Sequence, residues 1–154
     1  FNQTGATVVN SPDRSYQLRP LTMDDFQQVT NLWRSTDGMS QLESAEELGR
    51  FLTRNPNCSI LAEENGQLLG AILCGHDGRR GYMYHAAVSA LARGRGVGRT
   101  MVDYCIGQLR DLKIQRVTLF TLDDNCPAKE FWKHLGFRQR HDITQFAFDI
   151  KEFS

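Results

Sequence analysis

The chain has 154 residues, of which 40% are apolar, 23% charged and 10% aromatic. That is the profile of one ordinary globular domain, and it excludes disordered, collagen-like and membrane-spanning classes. Eighteen basic residues balance eighteen acidic ones, so no global field draws the protein onto nucleic acid or an anionic membrane, and any anion site must be local.

Residues 1–14 read as a flexible polar N-terminal tail and 15–154 as a single domain. Tyr16 to Pro20 alternates apolar and polar residues, as a short half-buried strand does. Thr22 and Asp25 form a capping-box pattern, and Phe26, Val29, Leu32 and Trp33 follow on one helical face. Ser44 and Glu47 repeat the pattern ahead of Leu48, Phe51 and Leu52, and Asn55-Pro56 closes this second helix. Cys58 to Glu63 and Leu68 to Cys74 flank Asn65-Gly66, whose tolerance of positive φ marks a tight hairpin. A turn over His76 to Gly81 leads to a third strand, Tyr82 to Val88, which completes an antiparallel meander.

From Val97 the apolar residues Met101, Val102, Cys105, Ile106, Leu109 and Leu112 recur at helical spacing over about 16 residues. Arg116 to Leu122 reads as a strand, Pro127 to Leu135 as a helix with proline in its first turn, and Ile143 to Ile150 as a final strand. The order predicts an α/β (α+β) fold: a mixed, mainly antiparallel sheet of about six to seven strands flanked by about four helices. Cys58, Cys74, Cys105 and Cys126 contain no CxxC pair and read as free thiols; with no secretory leader legible, a cytoplasmic location is expected. No pair of residues has metal-ligand spacing, so no metal is expected.

Between the meander and the long helix lies Arg93-Gly94-Arg95-Gly96-Val97-Gly98-Arg99-Thr100. Glycines let the backbone bend, a helix N-terminus offers unpaired N–H groups, and guanidinium forks match phosphate oxygens, so the segment suits a pyrophosphate. A Walker loop needs lysine where Arg99 stands and glycine where Arg93 stands. A dinucleotide fingerprint needs its third glycine one residue later and a βαβ opening. A bland alternative is a basic turn capped by glycines.

These residues resemble the GCN5-related N-acetyltransferase (GNAT) family, in its small bacterial form, whose phosphate loop reads Gln/Arg-x-x-Gly-x-Gly/Ala; Arg93, Gly96 and Gly98 satisfy it. Ala87-Val88, Asn125, Phe131-Trp132 and Leu135-Gly136-Phe137 extend the likeness. The resemblance implies that acetyl-CoA lies where two neighbouring strands, Tyr82 to Val88 and Arg116 to Leu122, splay apart. Ala86, Ala87 and Val88 would then pair with the pantetheine arm, and the Val88 N–H would polarise the thioester carbonyl. The N–H groups of Gly94 to Arg99, with Thr100 behind them, would hold the pyrophosphate. Asn125 would hydrogen-bond the pantetheine or cap its helix, and Trp132 would pack against the cofactor arm or shape the acceptor pocket.

The family's catalytic positions are altered. Tyr82 and Phe120 stand where relatives carry a glutamate base, and Trp132 stands where many carry a tyrosine acid. Tyr82 and Tyr84 share a strand face and could order a water that relays a proton. His85 faces the other way unless a bulge shifts the register, and is either a base or a structural donor. The resemblance therefore implies transfer of acetyl from acetyl-CoA to a primary amine by direct attack, with Tyr82, Tyr84, His85 and Val88 as catalytic candidates. The alternative is a degenerate CoA-binding sensor or regulatory module. An acidic stretch with Asp37, Glu43, Glu46 and Glu47 either suits a cationic acceptor or is ordinary solvated surface, and the apolar run from Ile143 to Phe153 allows a homodimer.

Overall fold

Two capping boxes set where the first helices begin. The structure, a computed structural model describing residues 9–10, 15–39 and 41–150, has the Thr22 and Asp25 side chains exchanging hydrogen bonds with each other's backbone around a short 3-10 turn. Helix α1, Phe26–Arg34, follows directly. Ser44 and Glu47 do the same for α2, Ala45–Arg54. Both helices place their apolar stripe on one layer, where Val29, Trp33 and Leu48 pack with Leu61, Ala71, Leu73 and Ala87 of the sheet.

Among the described residues the sheet has six strands in sequence order: β1 (Val9–Asn10), β2 (Gln17–Pro20), β3 (Ile60–Glu64), β4 (Gln67–His76), β5 (Gly81–Val88) and β6 (Val117–Leu119). The first five pair antiparallel, and β6 pairs parallel to β5 after the crossover helix α3, Val97–Asp111. Asn65 and Gly66 both take positive φ in the β3–β4 turn, as a two-residue hairpin requires. Helix α3 packs on the face opposite α1 and α2. There a Cβ on Gly70 would meet Met101 Cε at 2.7 Å, and one on Gly81 would meet Leu109 Cδ1 at 2.8 Å. Cys58, Cys74 and Cys105 are buried free thiols, and burial, with the neighbouring Cys74, pushes Cys58 up to about 11.

Two expectations need correction. Val9–Asn10 stands inside the stretch expected to be a flexible tail, yet pairs with Gln17 and Leu18, because the outer edge of β2 offers an open row of backbone groups. The other residues of that tail, 1–8 and 11–14, lie outside the described residues. Ile143 to Ile150 is not a strand. It belongs to a second unit, Asp123–Ser154, whose one regular element among the described residues is helix α4, Cys126–His134, so it has no ladder partner there. Ile143, Phe146, Phe148 and Ile150 are exposed. The sheet thus reaches six strands through Val9–Asn10 and not through the C-terminal run.

In the first unit, Phe1–Leu122, Arg19 ties β2 to the first capping box and to β3. It bonds Asp25 through two nitrogens at 3.0 and 2.8 Å and reaches Glu63 at 3.0 Å. Burial opposes ionisation of Asp25, but the Arg19 hydrogen bonds and the Thr22 N–H outweigh it and hold the carboxyl below its usual range. Asp25 is 5% exposed, so Asp25→Ala leaves Arg19 without its main partner and costs about 3 kcal/mol in urea unfolding at neutral pH. A carboxyl with a lowered folded pKa stabilises fully above its unfolded value and stops doing so as pH falls through the folded one. The gap between wild type and variant therefore narrows below about pH 4.

Candidate functional site

Strands β5 and β6 are hydrogen-bonded only where Gly81, Tyr82 and Met83 face Val117, Thr118 and Leu119. Beyond Met83, β5 runs on to Val88 while β6 has ended, so the β6 side of β5 is unpaired from Tyr84 onward among the described residues. The Ser89 N–H donates to Leu69 O at 2.7 Å, which makes Gly70 and Val88 a non-hydrogen-bonded pair of the β4–β5 ladder. The Val88 N–H therefore points away from β4, to the side where the two strands have parted.

From Val88 the chain turns through Ala90–Ala92, capped by the Ser89 hydroxyl at Leu91 N–H, into the glycine loop. Gly94 and Gly96 take φ +80° and +77°, and Gly96 is the N-cap of α3 with no capping side chain. Only glycine adopts this geometry without strain. The N–H groups of Gly94, Gly96, Val97, Gly98 and Arg99 have no acceptor among the described residues, whereas Arg95 N–H reaches Ala92 O and Thr100 N–H reaches Gly96 O. Five unclaimed donors at the positive end of a 15-residue helix form a cradle for an anion. Apart from the adjoining backbone, no atom of the described residues lies within 4 Å of where a Cβ on Gly94 or Gly96 would stand, so the cradle is open.

The three arginines of the loop are not equivalent. Arg93 and Arg99 are exposed and have no ion-pair partner among the described residues. Arg95 makes a bidentate pair with Glu64 of the β3–β4 turn at 2.9 and 3.0 Å, and its guanidinium lies over the Tyr16 ring at 5.7 Å. Tyr16 in turn donates to Thr100 Oγ1 at 3.1 Å. Arg95 therefore braces the loop against Tyr16, just ahead of β2, and against the hairpin, a role its position between two glycines does not announce.

On the α1/α2 side of β5 the ladder slips: Leu73 pairs with Tyr84, but Ala71 pairs with Ala87. His85 and Ala86 together oppose Ile72, and His85 takes φ +53°, which is a β-bulge. The bulge brings the His85 ring to 5.0 Å from that of Trp33 on α1. There its Nε2 meets both oxygens of Glu43, at 2.9 and 3.2 Å. Tyr82 and Tyr84 stack on the same layer at 6.3 Å, with Phe51 of α2 edge-on to Tyr84. Burial raises the Tyr84 hydroxyl above its usual value, and Tyr82 and the Glu43 charge add to the shift.

Glu43 was visible in sequence only as one acid among several. The other acids of that stretch are partly committed: Glu47 caps α2 through Ser44 N–H, and Glu46 faces Arg50 at 3.5 Å. In the second unit, Asn125 accepts from Ala128 N–H at 3.2 Å as the N-cap of α4. Trp132 is buried between Phe131 and Phe137, each at 5.0 Å. Among the described residues no cluster of three or more His, Cys, Asp or Glu side chains could hold a metal ion, and no helix is long and apolar enough to cross a membrane.

A mixed sheet whose neighbouring strands part beside a glycine-built anion cradle defines the acetyltransferase class of fold. The chain belongs to the acetyltransferase (GNAT) family, whose model matches residues 17–137. It is 28% identical over 126 residues to an acetyltransferase of Photorhabdus laumondii, covering 81% of this chain and 88% of that one. Among solved structures it superposes on Ard1 of Thermoplasma volcanium with a TM-score of 0.73 at 19% identity, over 81% of this chain and 84% of the other. It also superposes on an acetyltransferase of Clostridium acetobutylicum solved with acetyl-CoA, with a TM-score of 0.65 at 19% identity, over 86% and 96%.

Proposed function

We propose that this protein transfers an acetyl group from acetyl-CoA to a primary amine, in a ternary complex and without a covalent enzyme intermediate. The observation that carries the proposal is the set of unclaimed N–H donors of Gly94, Gly96, Val97, Gly98 and Arg99, in the loop that follows the strand that parts from β6. A diphosphate held there, with Arg93 and Arg99 beside it, directs the pantetheine arm along Ala86, Ala87 and Val88. The thioester carbonyl then meets the Val88 N–H, the donor that points into the parting. The acetyl-CoA in the Clostridium relative supports the same choice of cosubstrate.

The acceptor is an amine of a small molecule, peptide or protein. It attacks in its neutral form, and the thiolate of coenzyme A is a tolerable leaving group without a dedicated acid. Buried free thiols at Cys58, Cys74 and Cys105 fit a reducing compartment such as the cytoplasm.

The test is thiol release from acetyl-CoA against a panel of polyamines, aminoglycosides and peptides with free lysines or free N-termini. Amine-dependent release is expected from at least one class. Tight CoA binding with no release from any of them would favour a sensor module in place of an enzyme.

A further inference from the structure

The function proposed above leaves the proton of the attacking amine without an assigned destination. The bulge in β5 supplies one. His85 lies three positions before Val88 on the same strand, and its side chain is 15% exposed. Its Nε2 is occupied by both oxygens of Glu43, whose side chain is 33% exposed. Its Nδ1 has no partner among the described residues, and it is not closed off from solvent: the buried side-chain nitrogen lacking a partner there is Trp33 Nε1. A carboxylate on one ring nitrogen fixes the tautomer with the proton on that nitrogen and leaves a lone pair on the other.

The arrangement is costly to build, since a non-glycine residue at φ +53° is strained. The segment between α1 and α2 must also be carried to β5 to bring Glu43, 42 residues distant, onto the ring. Trp33, 2% exposed, backs that ring at 5.0 Å and holds its plane. Burial opposes ionisation of Glu43, but the His85 hydrogen bonds and charge outweigh it and keep the carboxyl below its usual range. It is therefore ionised at neutral pH. Among the described residues, the groups on the His85 ring are the titratable Glu43, from the segment before α2, and the uncharged Trp33 of α1; Tyr84, whose hydroxyl feels the Glu43 charge, and Tyr82 lie along the same strand and pack with Phe51 of α2 and with each other.

We infer that His85 is the proton acceptor of the acetyl transfer and Glu43 its positioning residue, a pairing assembled by the β5 bulge. The inference rests on the function proposed above. In the step it describes, the neutral amine nitrogen forms a bond to the acetyl carbon and the carbonyl electrons move onto oxygen beside the Val88 N–H. The extra proton on nitrogen passes to His85 Nδ1. The carbonyl then re-forms as the carbon–sulfur bond breaks, and coenzyme A leaves as its thiolate. The imidazolium, stabilised by Glu43, returns its proton to solvent or to the thiolate, so the cycle balances with no further reactant.

The test compares wild type, His85→Gln and Glu43→Gln by thiol release between pH 6 and 9, with CoA affinity by calorimetry and thermal unfolding measured alongside. An acceptor amine of pKa about 10 ionises above this window, so it contributes a constant slope and a protein group appears as an added break. His85→Gln is expected to bind CoA normally, to lose about 100-fold in kcat at neutral pH, to lack the added acid-side break, and to regain rate with free imidazole. Glu43→Gln retains a hydrogen-bond partner for the ring and is expected to lose roughly tenfold in kcat at unchanged KM.

If His85→Gln keeps wild-type kcat and the added break while wild type turns over, the inference is overturned and the acetyltransferase reading stands. If wild type binds CoA and releases no thiol with any amine, that reading falls and this one with it. Should His85→Gln not fold, Glu43→Gln decides: full kcat with an unaltered profile overturns the assignment.

Discussion

Gly96→Val lowers affinity for coenzyme A by roughly 100-fold and leaves the fold standing. Gly96 sits at φ +77°, where a β-branched residue costs of order 1–3 kcal/mol. Apart from the adjoining backbone, no atom of the described residues lies within 4 Å of the added Cβ, so the strain is relieved by the backbone rotating toward negative φ rather than by the core giving way. That rotation turns the N–H groups of Gly96 and Val97 out of the cradle. A hydrogen bond to a charged group contributes about 1.5–3 kcal/mol, so losing one or two accounts for the expected factor. The stability cost is this strain plus a weakening of the two Thr100 bonds to Gly96 O, which turns with the Val97 N–H; the later turns of α3 keep their own bonds. Calorimetric titration of CoA into wild type and variant, with urea unfolding of both, reads the two effects separately. Unchanged affinity would remove the phosphate from this loop.

Much of the frame around that loop is local in origin and was legible from residue order. The two capping boxes form where Thr22 and Ser44 announce them. Asn65-Gly66 makes the hairpin, and the 3.6-residue apolar period gives α3 its length. What was not legible depends on partners far along the chain. The alternation of Tyr82, Tyr84 and His85 fits a plain strand; only the pairing of Ala71 with Ala87 and Leu73 with Tyr84 inserts the extra residue that swings His85 toward Trp33. Glu43 looks like surface charge until that swing brings a ring to it. Arg95 reads as a phosphate ligand by position, whereas Glu64, 31 residues earlier, takes both arms of its fork. Ile143 to Ile150 has the composition of a strand, but a strand exists only with a ladder partner, and the second unit supplies none among its described residues. Alternation specifies which face a residue could take; register and pairing decide whether it takes it.

The same register logic gives the second large effect. Because Ser89 N–H bonds Leu69 O, the neighbouring Val88 N–H takes no part in the β4–β5 ladder, and β6 no longer pairs at that height. Proline at position 88 thus deletes a donor the sheet does not use, on an unpaired strand side where proline is tolerated. Ala87 ahead of it already has the extended backbone that a residue before proline prefers. If the Val88 N–H stabilises the oxyanion that forms as the amine attacks, Val88→Pro lowers kcat by about 100- to 1000-fold. Its affinity for CoA stays within a few-fold of wild type, because the pyrophosphate cradle lies eight residues on at Gly96. Val88→Ala keeps the N–H and holds its rate near wild type, separating loss of the donor from loss of the side chain. Thiol release at saturating amine, paired with calorimetry, distinguishes the outcomes. A Val88→Pro variant with wild-type kcat would place the carbonyl elsewhere, and one that fails to bind CoA at all would mean that position 88 sets the course of the chain into the glycine loop.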